Sequence, residues 1–357
     1  MVVVTALGLP GLINPATGKP LTSIDIYSGL FSEGILGTRP IQAGDLAQFG
    51  LVPGPNSPGR VIFGTDPYIA AYSEQASLEV EHQFGDFAVS LAYNFSRGVH
   101  IPHTDGRNVY QTGTLPSGQP TFGLIDPNIS QLNYYAYNAN SFYSAGTLQV
   151  VKRMTKNLSL NSHFTWSKAT DESTDFNSDY APNNQLNLRA DRGLSPFNAA
   201  YRVVFTGVYQ SPIANSGFVG HVLSGWTLSP VIQYSSWRPF NILTGIDVYG
   251  DNYITNHRPW GAGRDIGHGP DLFTTDLRLS RTFAFGDNGR WHLEALVEGF
   301  NLENRTNFRS VNNIVGDVPL SSLPNPVQAF RGDPNQPLAY TSAFEPREFQ
   351  VGLKIIY

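Results

Sequence analysis

The chain has 357 residues, no cysteine and a formal net charge of -5, from 23 Lys+Arg against 28 Asp+Glu. Disulfide frameworks and cysteine-bearing metal clusters are excluded, as is a general nucleic-acid binder, because positive charge is scarce and scattered. Only 14% of residues are charged, against roughly 25% in ordinary soluble proteins, while Phe, Tyr, Gly and Pro are plentiful, a balance that suits an all-β protein not wholly bathed in water.

In chain order, Val2–Leu7 reads as the end of a strand. The opening MVVVTALGLPG has no basic region, apolar stretch or cleavage site of a secretory leader. No run reaches about 18 apolar residues, so no transmembrane helix is expected. Tyr72–Phe84 is a candidate strand, followed by a two-residue turn at Gly85-Asp86 and a strand over Asp86–Arg97. Phe87, Val89, Leu91, Tyr93 and Phe95 share one face there, and Ala88, Ser90, Ala92, Asn94 and Ser96 the other. Keeping every apolar residue on one face pairs Phe84 with Phe87, Val80 with Leu91 and Leu78 with Tyr93, with glycine first as in a type II′ turn. Ser141–Arg153 and Asn157–Lys168 follow, joined near Met154–Lys156, the second placing Leu158, Leu160, Phe164 and Trp166 together.

Ala200–Gln210 aligns Tyr201, Val203, Phe205 and Tyr209; after a short turn over Ser211–His221, Leu223–Arg238 aligns Trp226, Leu228, Ile232 and Tyr234. Phe273–Phe285 and Trp291–Leu302 form a hairpin whose five-residue turn, Gly286 to Arg290, pairs Phe285 with Trp291 and Leu279 with Val297. That register sets Arg278 opposite Glu298 on the polar, lumen face, with Arg281 the one charge left on the apolar side, free to snorkel. Phe349, Val351, Leu353, Ile355 and Tyr357 alternate to the last residue.

Short turns alternate with long regions, 98–140, 169–199, 239–272 and 303–345, rich in Gly, Pro, Asn and Asp. Loops beyond about 12–15 residues are uncommon in compact domains. Short turns at one end, long loops at the other and strands of about 10–16 residues describe an antiparallel transmembrane β-barrel segment with periplasmic turns and extracellular loops; a soluble sandwich favours strands of about 5–6 residues. Phe87, Tyr209, Trp226, Phe285, Trp291 and Tyr357 fall near the short-turn ends, and Trp166 and Tyr201 near the long-loop ends, as two membrane-interface belts would.

No constellation rises to a catalytic, cofactor or metal site. His100, His103 and Asp105 read as solvated loop residues without a further ligand. Asp247 and Asp251 lack EF-hand spacing. Asp171, Glu172, Asp175 and Asp179 read as a solvated acidic face, with a ligand site on the outer surface as the functional alternative. Glu294 and Glu298 lie about 13 Å apart along a strand, beyond the roughly 5–9.5 Å of glycosidase pairs. Tyr134, Tyr135, Tyr137, Trp237 and Trp260 either stack on a ligand or pack loops together. The nucleophile-elbow, zincin, P-loop and dinucleotide motifs are missing, and the chain is not expected to be an enzyme.

HFTWSKATDEST (163–174), LRADRGLSPFNAAYRVVFTGVYQSP (188–212), LSGWTLSP (223–230), LEALVEGFNLENRTNF (293–308) and PREFQVGLKIIY (346–357) resemble, in order, segments of TonB-dependent receptors of the Oar-like kind. DVYGDNYITNHRP (247–259) is similar to a loop often written D-x-N-x-D-G in that group, with Val248, Tyr249 and Gly250 breaking the ligand spacing. The alternate residues ending at Tyr357 resemble the C-terminal assembly signal of outer-membrane proteins. The resemblance implies that residues 1–357 are the C-terminal part of a barrel of about 22 strands, with about 9–10 present and the signal peptide and plug domain absent. It implies an outer-membrane location in a Gram-negative-type bacterium and, for the full-length parent, import of a large nutrient such as a siderophore or oligosaccharide. Implied partners are outer-membrane lipid, the barrel assembly machinery, the TonB system through the plug, and a ligand the sequence does not name. The alternatives are a soluble all-β glycan-binding module or glycan-active enzyme, and a porin-like channel.

Overall fold

Alternating residues and well-spaced turns produce nine long strands: β1 Tyr72–Phe84, β2 Phe87–Gly106, β3 Ile129–Thr155, β4 Leu158–Asp171, β5 Tyr201–Gln210, β6 Trp226–Ser235, β7 Leu272–Phe285, β8 Trp291–Phe300 and β9 Glu348–Ile356. Each pairs antiparallel with the next, giving a meander from β1 to β9. The computed structural model describes residues 8–14, 18, 20–36, 38–39, 43–49, 60–173, 181–212, 217–285 and 291–356. These divide into two compact units, 1–62 with 124–130, and 63–123 with 131–357.

The first unit holds a short hairpin of Gly8–Ile13 with Pro20–Thr22 and a helix over Ser23–Ser32 that buries Leu30. No helix emerges from the sequence pattern there, because ten residues offer too few repeats of the 3.6-residue period to stand out. The suggested strand at Val2–Leu7 lies outside the described residues.

The second unit contains the sheet. Both predicted hairpin registers hold: Phe84 pairs with Phe87, Val80 with Leu91 and Leu78 with Tyr93, and Phe285 with Trp291, Leu279 with Val297 and Arg278 with Glu298. At the first turn Gly85 has φ +59, the left-handed value a type II′ turn demands of its first central residue. The 286–290 turn itself lies outside the described residues. Between β3 and β4 the turn is Lys156-Asn157, one residue later than expected. Both residues have positive φ, and a bulge between Lys152 and Thr155 absorbs the shift. The 211–221 connection carries a short helix, Gly217–Leu223, so β6 starts at Trp226 instead of Leu223.

Region 98–140 is not a loop. β2 and β3 run on as a ladder from Ile101–Ala139 to Gly106–Asn133, past bulges around Gly98 and His103. Bulges hide such strands from a strict period-two reading because each one flips the faces. A second small ladder, Val109–Thr114 with Pro120–Leu124, occupies the middle of the same region.

Register turns the alternation into rows across the sheet. One runs Val80, Leu91, Leu148, Phe164, Val203, Tyr234, Phe273 over seven strands. Another runs Leu158, Tyr209, Leu228, Leu279, Val297, Val351 from β4 to β9. The row beside the first, on the opposite face, is Glu81, Ser90, Gln149, His163, Val204, Gln233, Thr274, nearly all polar. Many of the apolar side chains are open: Val80 is 66% exposed, Leu91 63% and Val351 80%. In a sandwich these rows would meet a second sheet; here the buried apolar cluster of Ile242, Val315, Val327 and Leu338 sits in the loops instead. Exposed apolar rows on long strands, with a polar face behind them, suit the lipid-facing wall of a barrel.

Candidate functional site

The loops at the far ends of β4, β6 and β8 fold on one another. A two-rung ladder, Pro239–His268 and Phe240–Gly267, closes the base of the segment between β6 and β7. Leu243 N–H donates to Asn313 O and Val315 N–H to Leu243 O, both at 2.8 Å, tying that segment to the loop after β8. Asn256 Nδ2 donates to Ala181 O at 2.7 Å and Pro182 O at 2.8 Å, and Asn183 Oδ1 accepts the Arg258 N–H at 2.8 Å, which ties in the loop after β4.

Between them lies a cavity of about 420 Å³ lined by Glu172, Asp191, Phe240, Arg258, Arg264 and Asp265, among others. Arg258 Nη2 pairs with Asp191 Oδ1 at 2.5 Å, and Arg264 Nη1 pairs with Asp171. Glu172 Oε2 accepts the Asn140 N–H at 2.9 Å and its Nδ2 at 3.0 Å. Two buried acceptors on the lining, Asn256 Oδ1 and Asp265 Oδ2, receive no hydrogen bond; the latter has only Arg264 Nε, at 3.7 Å. Unsatisfied buried acceptors favour a ligand that brings O–H or N–H donors.

Burial pushes the Asp265 carboxyl up to about 6. The folded state therefore holds this proton more tightly than the unfolded chain. Its stabilising contribution is complete below about pH 4 and is lost as pH rises through about 6. Asp265→Asn is tolerated by the backbone, since φ is +53 and asparagine accepts the left-handed region. The variant is expected to match the parent at pH 4 and to be more stable at pH 8, by up to about 3 kcal/mol. Thermal unfolding at the two pH values checks this; an equal or lower transition at pH 8 refutes it.

Two of the four acidic residues expected on a solvated face are not solvated. Asp171 and Glu172 are buried in the pairs above, because the loops fold over them; Asp175 and Asp179 lie outside the described residues. His100, His103 and Asp105 belong to β2 and are held apart: His100 Nδ1 meets Tyr137 O at 3.0 Å, His103 Nε2 meets Asn138 Oδ1 at 2.6 Å, and Asp105 pairs with Arg107 at 3.2 Å. The aromatics join loops. Arg107 lies 4.5 Å over the Tyr134 ring, Tyr135 stacks near Phe63, Tyr137 meets Tyr68 edge-on, Trp237 stacks on His268 at 3.7 Å, and Trp260 Nε1 donates to Ser117 O at 2.9 Å.

On the sheet, Arg278 reaches both acids on one face, Glu294 Oε1 at 3.1 Å and Glu298 Oε1 at 3.6 Å. Trp166 and Tyr201 are opposed across β4 and β5 at the long-loop side and are exposed. Phe87, Tyr209 and Trp291 are exposed at the other end, where Trp226 is half-buried; the Phe285 side chain lies outside the described residues. Arg281 sits near the rings of Trp226, at 5.4 Å, and Phe283, at 4.9 Å, which gives the one charge on the apolar face of the β7–β8 hairpin two aromatic partners. Phe349, Val351, Leu353 and Ile355 point outward from edge strand β9; Tyr357 lies outside the described residues.

The pattern missed His257, Arg258 and Arg264. Charges are rare in this chain, so two arginines among the prolines and glycines of a long loop were the available signal.

A family model described as outer membrane beta barrel domain matches residues 22–260. The chain belongs to this family. It is an outer-membrane protein, and its apolar rows face lipid. The solved structures similar to it include the outer membrane transporter YddB of Escherichia coli (10% identity, TM-score 0.46, covering 79% of this chain and 32% of that one). The ferric enterobactin receptor PfeA of Pseudomonas aeruginosa gives 11%, 0.42, 80% and 31%, and P. aeruginosa FpvA in complex with a pyoverdine and iron gives 13%, 0.40, 79% and 26%. The chain thus spans about a quarter to a third of the length of these structures. No curated protein matches it.

Proposed function

We propose that this chain is the C-terminal part of the barrel of a TonB-dependent receptor of the Oar-like kind, and that the full-length parent imports a large nutrient, a siderophore or an oligosaccharide. Its role is transport, not catalysis. One observation carries the need for further strands. Among the described residues the meander has nine strands, so its first and last run in the same direction. Closing β9 on β1 would create a parallel pair, whereas membrane barrels of this class are antiparallel throughout with even strand numbers. Open edges in lipid leave backbone groups unsatisfied at several kcal/mol each. The same parity speaks against a self-sufficient porin-like channel. The ordered motifs from HFTWSKATDEST to PREFQVGLKIIY support the receptor reading, and the loop cavity lies where an incoming ligand would first meet the protein.

Antibodies against this chain should detect, in outer membranes, a protein well above its 39.1 kDa. The isolated chain should show no conductance in planar bilayers. A sole 39.1 kDa band with open-channel conductance would sink the reading. In the parent, Tyr357→Ala should lower the amount of heat-modifiable, folded barrel without changing ligand affinity per folded molecule; normal folded levels with weaker binding would contradict an assembly role.

A further inference from the structure

We propose that the loop between β6 and β7 binds a divalent first-row metal ion, with Asp251 and His257 as direct ligands and Asp247 orienting the histidine. Ligand atoms of these three residues lie within 4.8 Å of one another. Asp251 and His257 are both 0% exposed. Among the described residues no lysine or arginine pairs with either aspartate, so two carboxylates sit together in a buried loop without a permanent cation.

The hydrogen bonds separate the roles. Asp247 organises the loop: its Oδ1 accepts the N–H groups of Tyr249 (3.2 Å), Gly250 (2.7 Å) and Asp251 (3.3 Å), and its Oδ2 that of Asn252 (2.8 Å). Asp251 Oδ1 accepts the Tyr253 N–H at 2.9 Å, but Oδ2 receives no donor. His257 Nε2 lies 2.8 Å from Asp251 Oδ1, yet the contact is not aligned as a hydrogen bond and the nitrogen has no partner. The two fully buried members of the group thus each present an unused ligand atom. A cation satisfies both atoms and the local charge together.

His257 Nδ1 is 3.5 Å from Asp247 Oδ1. With a metal on Nε2 the ring proton resides on Nδ1 and points to that carboxylate, the usual second partner of a metal-bound histidine. Val248 N–H, 3.2 Å from Nδ1, gives up its contact when the ion binds. One imidazole and carboxylate oxygens, with water completing the shell, suit zinc or manganese better than calcium. The bound ion also holds Tyr253, whose hydroxyl donates to Asn133 Oδ1 at 2.5 Å, and so clamps the loop onto β3.

The test uses the protein extracted from outer membranes in detergent, stripped with EDTA and titrated with zinc chloride and, in parallel, manganese chloride. Metal content after gel filtration and thermal unfolding with and without chelator are the readouts. The expected result is one equivalent bound and a lower transition temperature after stripping. Asp251→Asn and His257→Gln should each weaken binding more than about tenfold, and Asp247→Asn by roughly 10–100-fold. Both ligand variants should lose the difference between stripped and loaded transitions. Stripped Asp251→Asn should unfold no lower than the stripped parent, because it removes an unpaired buried charge; a purely structural aspartate would lower both transitions equally. Less than stoichiometric metal in the parent, no effect of chelation, or parent-like affinity in Asp251→Asn overturns the proposal.

Discussion

Leu91→Arg is expected to destabilise the folded barrel by about 2–4 kcal/mol, whereas Gln149→Arg leaves it within about 0.5 kcal/mol. Leu91 stands between Val80 and Leu148 in an apolar row spanning seven strands, and most of its side chain is open. Arginine there places a charge in hydrocarbon, flanked by side chains that offer it no partner. Gln149 lies on the opposite face between Ser90 and His163 and bonds Asn161 at 3.1 Å. A charge on that face meets polar neighbours and water. The two substitutions add the same side chain, so their difference isolates the face from any effect of arginine on strand propensity. Unfolding of the protein in lipid vesicles, followed by tryptophan fluorescence, measures it. Equal losses would mean that the two faces are wrongly assigned.

The strands were legible because in lipid a strand has one job per face, so alternation persists wherever register is regular. Phe87 to Phe95 and Phe349 to Ile355 show it without interruption, Leu158 to Trp166 with Ser162 as the one gap, and keeping the apolar residues of both strands on one face was enough to place Arg278 opposite Glu298. Legibility ended where register breaks. The upper halves of β2 and β3 looked like loop because bulges at Gly98, Ile101 and His103 reverse the faces and His100 adopts φ +58. The loop cluster was hidden for a different reason. Its contacts join residues far apart in sequence: Asp171 with Arg264, Asp191 with Arg258, Asn256 with Ala181. No local period encodes such pairs. Asp247 and Asp251 were visible as acids, but the buried His257 that completes the group follows ten residues after the first of them, off any familiar spacing.

Arg258→Ala is expected to destabilise the loop cluster by about 3–5 kcal/mol, more than any single loss of a surface pair. The pair it breaks is nearly dry, with Arg258 and Asp191 side chains 5% and 7% exposed. Asp191 would keep only the Asn183 N–H, at 2.8 Å on Oδ2, and its Oδ1 would face the cavity without a donor. The lost Coulomb term is the smaller part of the effect; the stranded carboxylate is the larger. The two contributions separate in a double variant. Arg258→Met with Asp191→Leu removes both charges and fills similar volume, so much of the stability should return, because replacing a buried pair outright is often neutral. Arg258 Nε also donates to Ala262 O at 3.3 Å, a bond that both variants lose, whereas its main-chain N–H on Asn183 Oδ1 survives either substitution. By stranding the Asp191 carboxylate, the single variant should open residues 181–198 to protease while β4 and β5 stay protected. If the double variant is as unstable as Arg258→Ala, the arginine acts through its Nε bond to Ala262 O and not through its ion pair with Asp191.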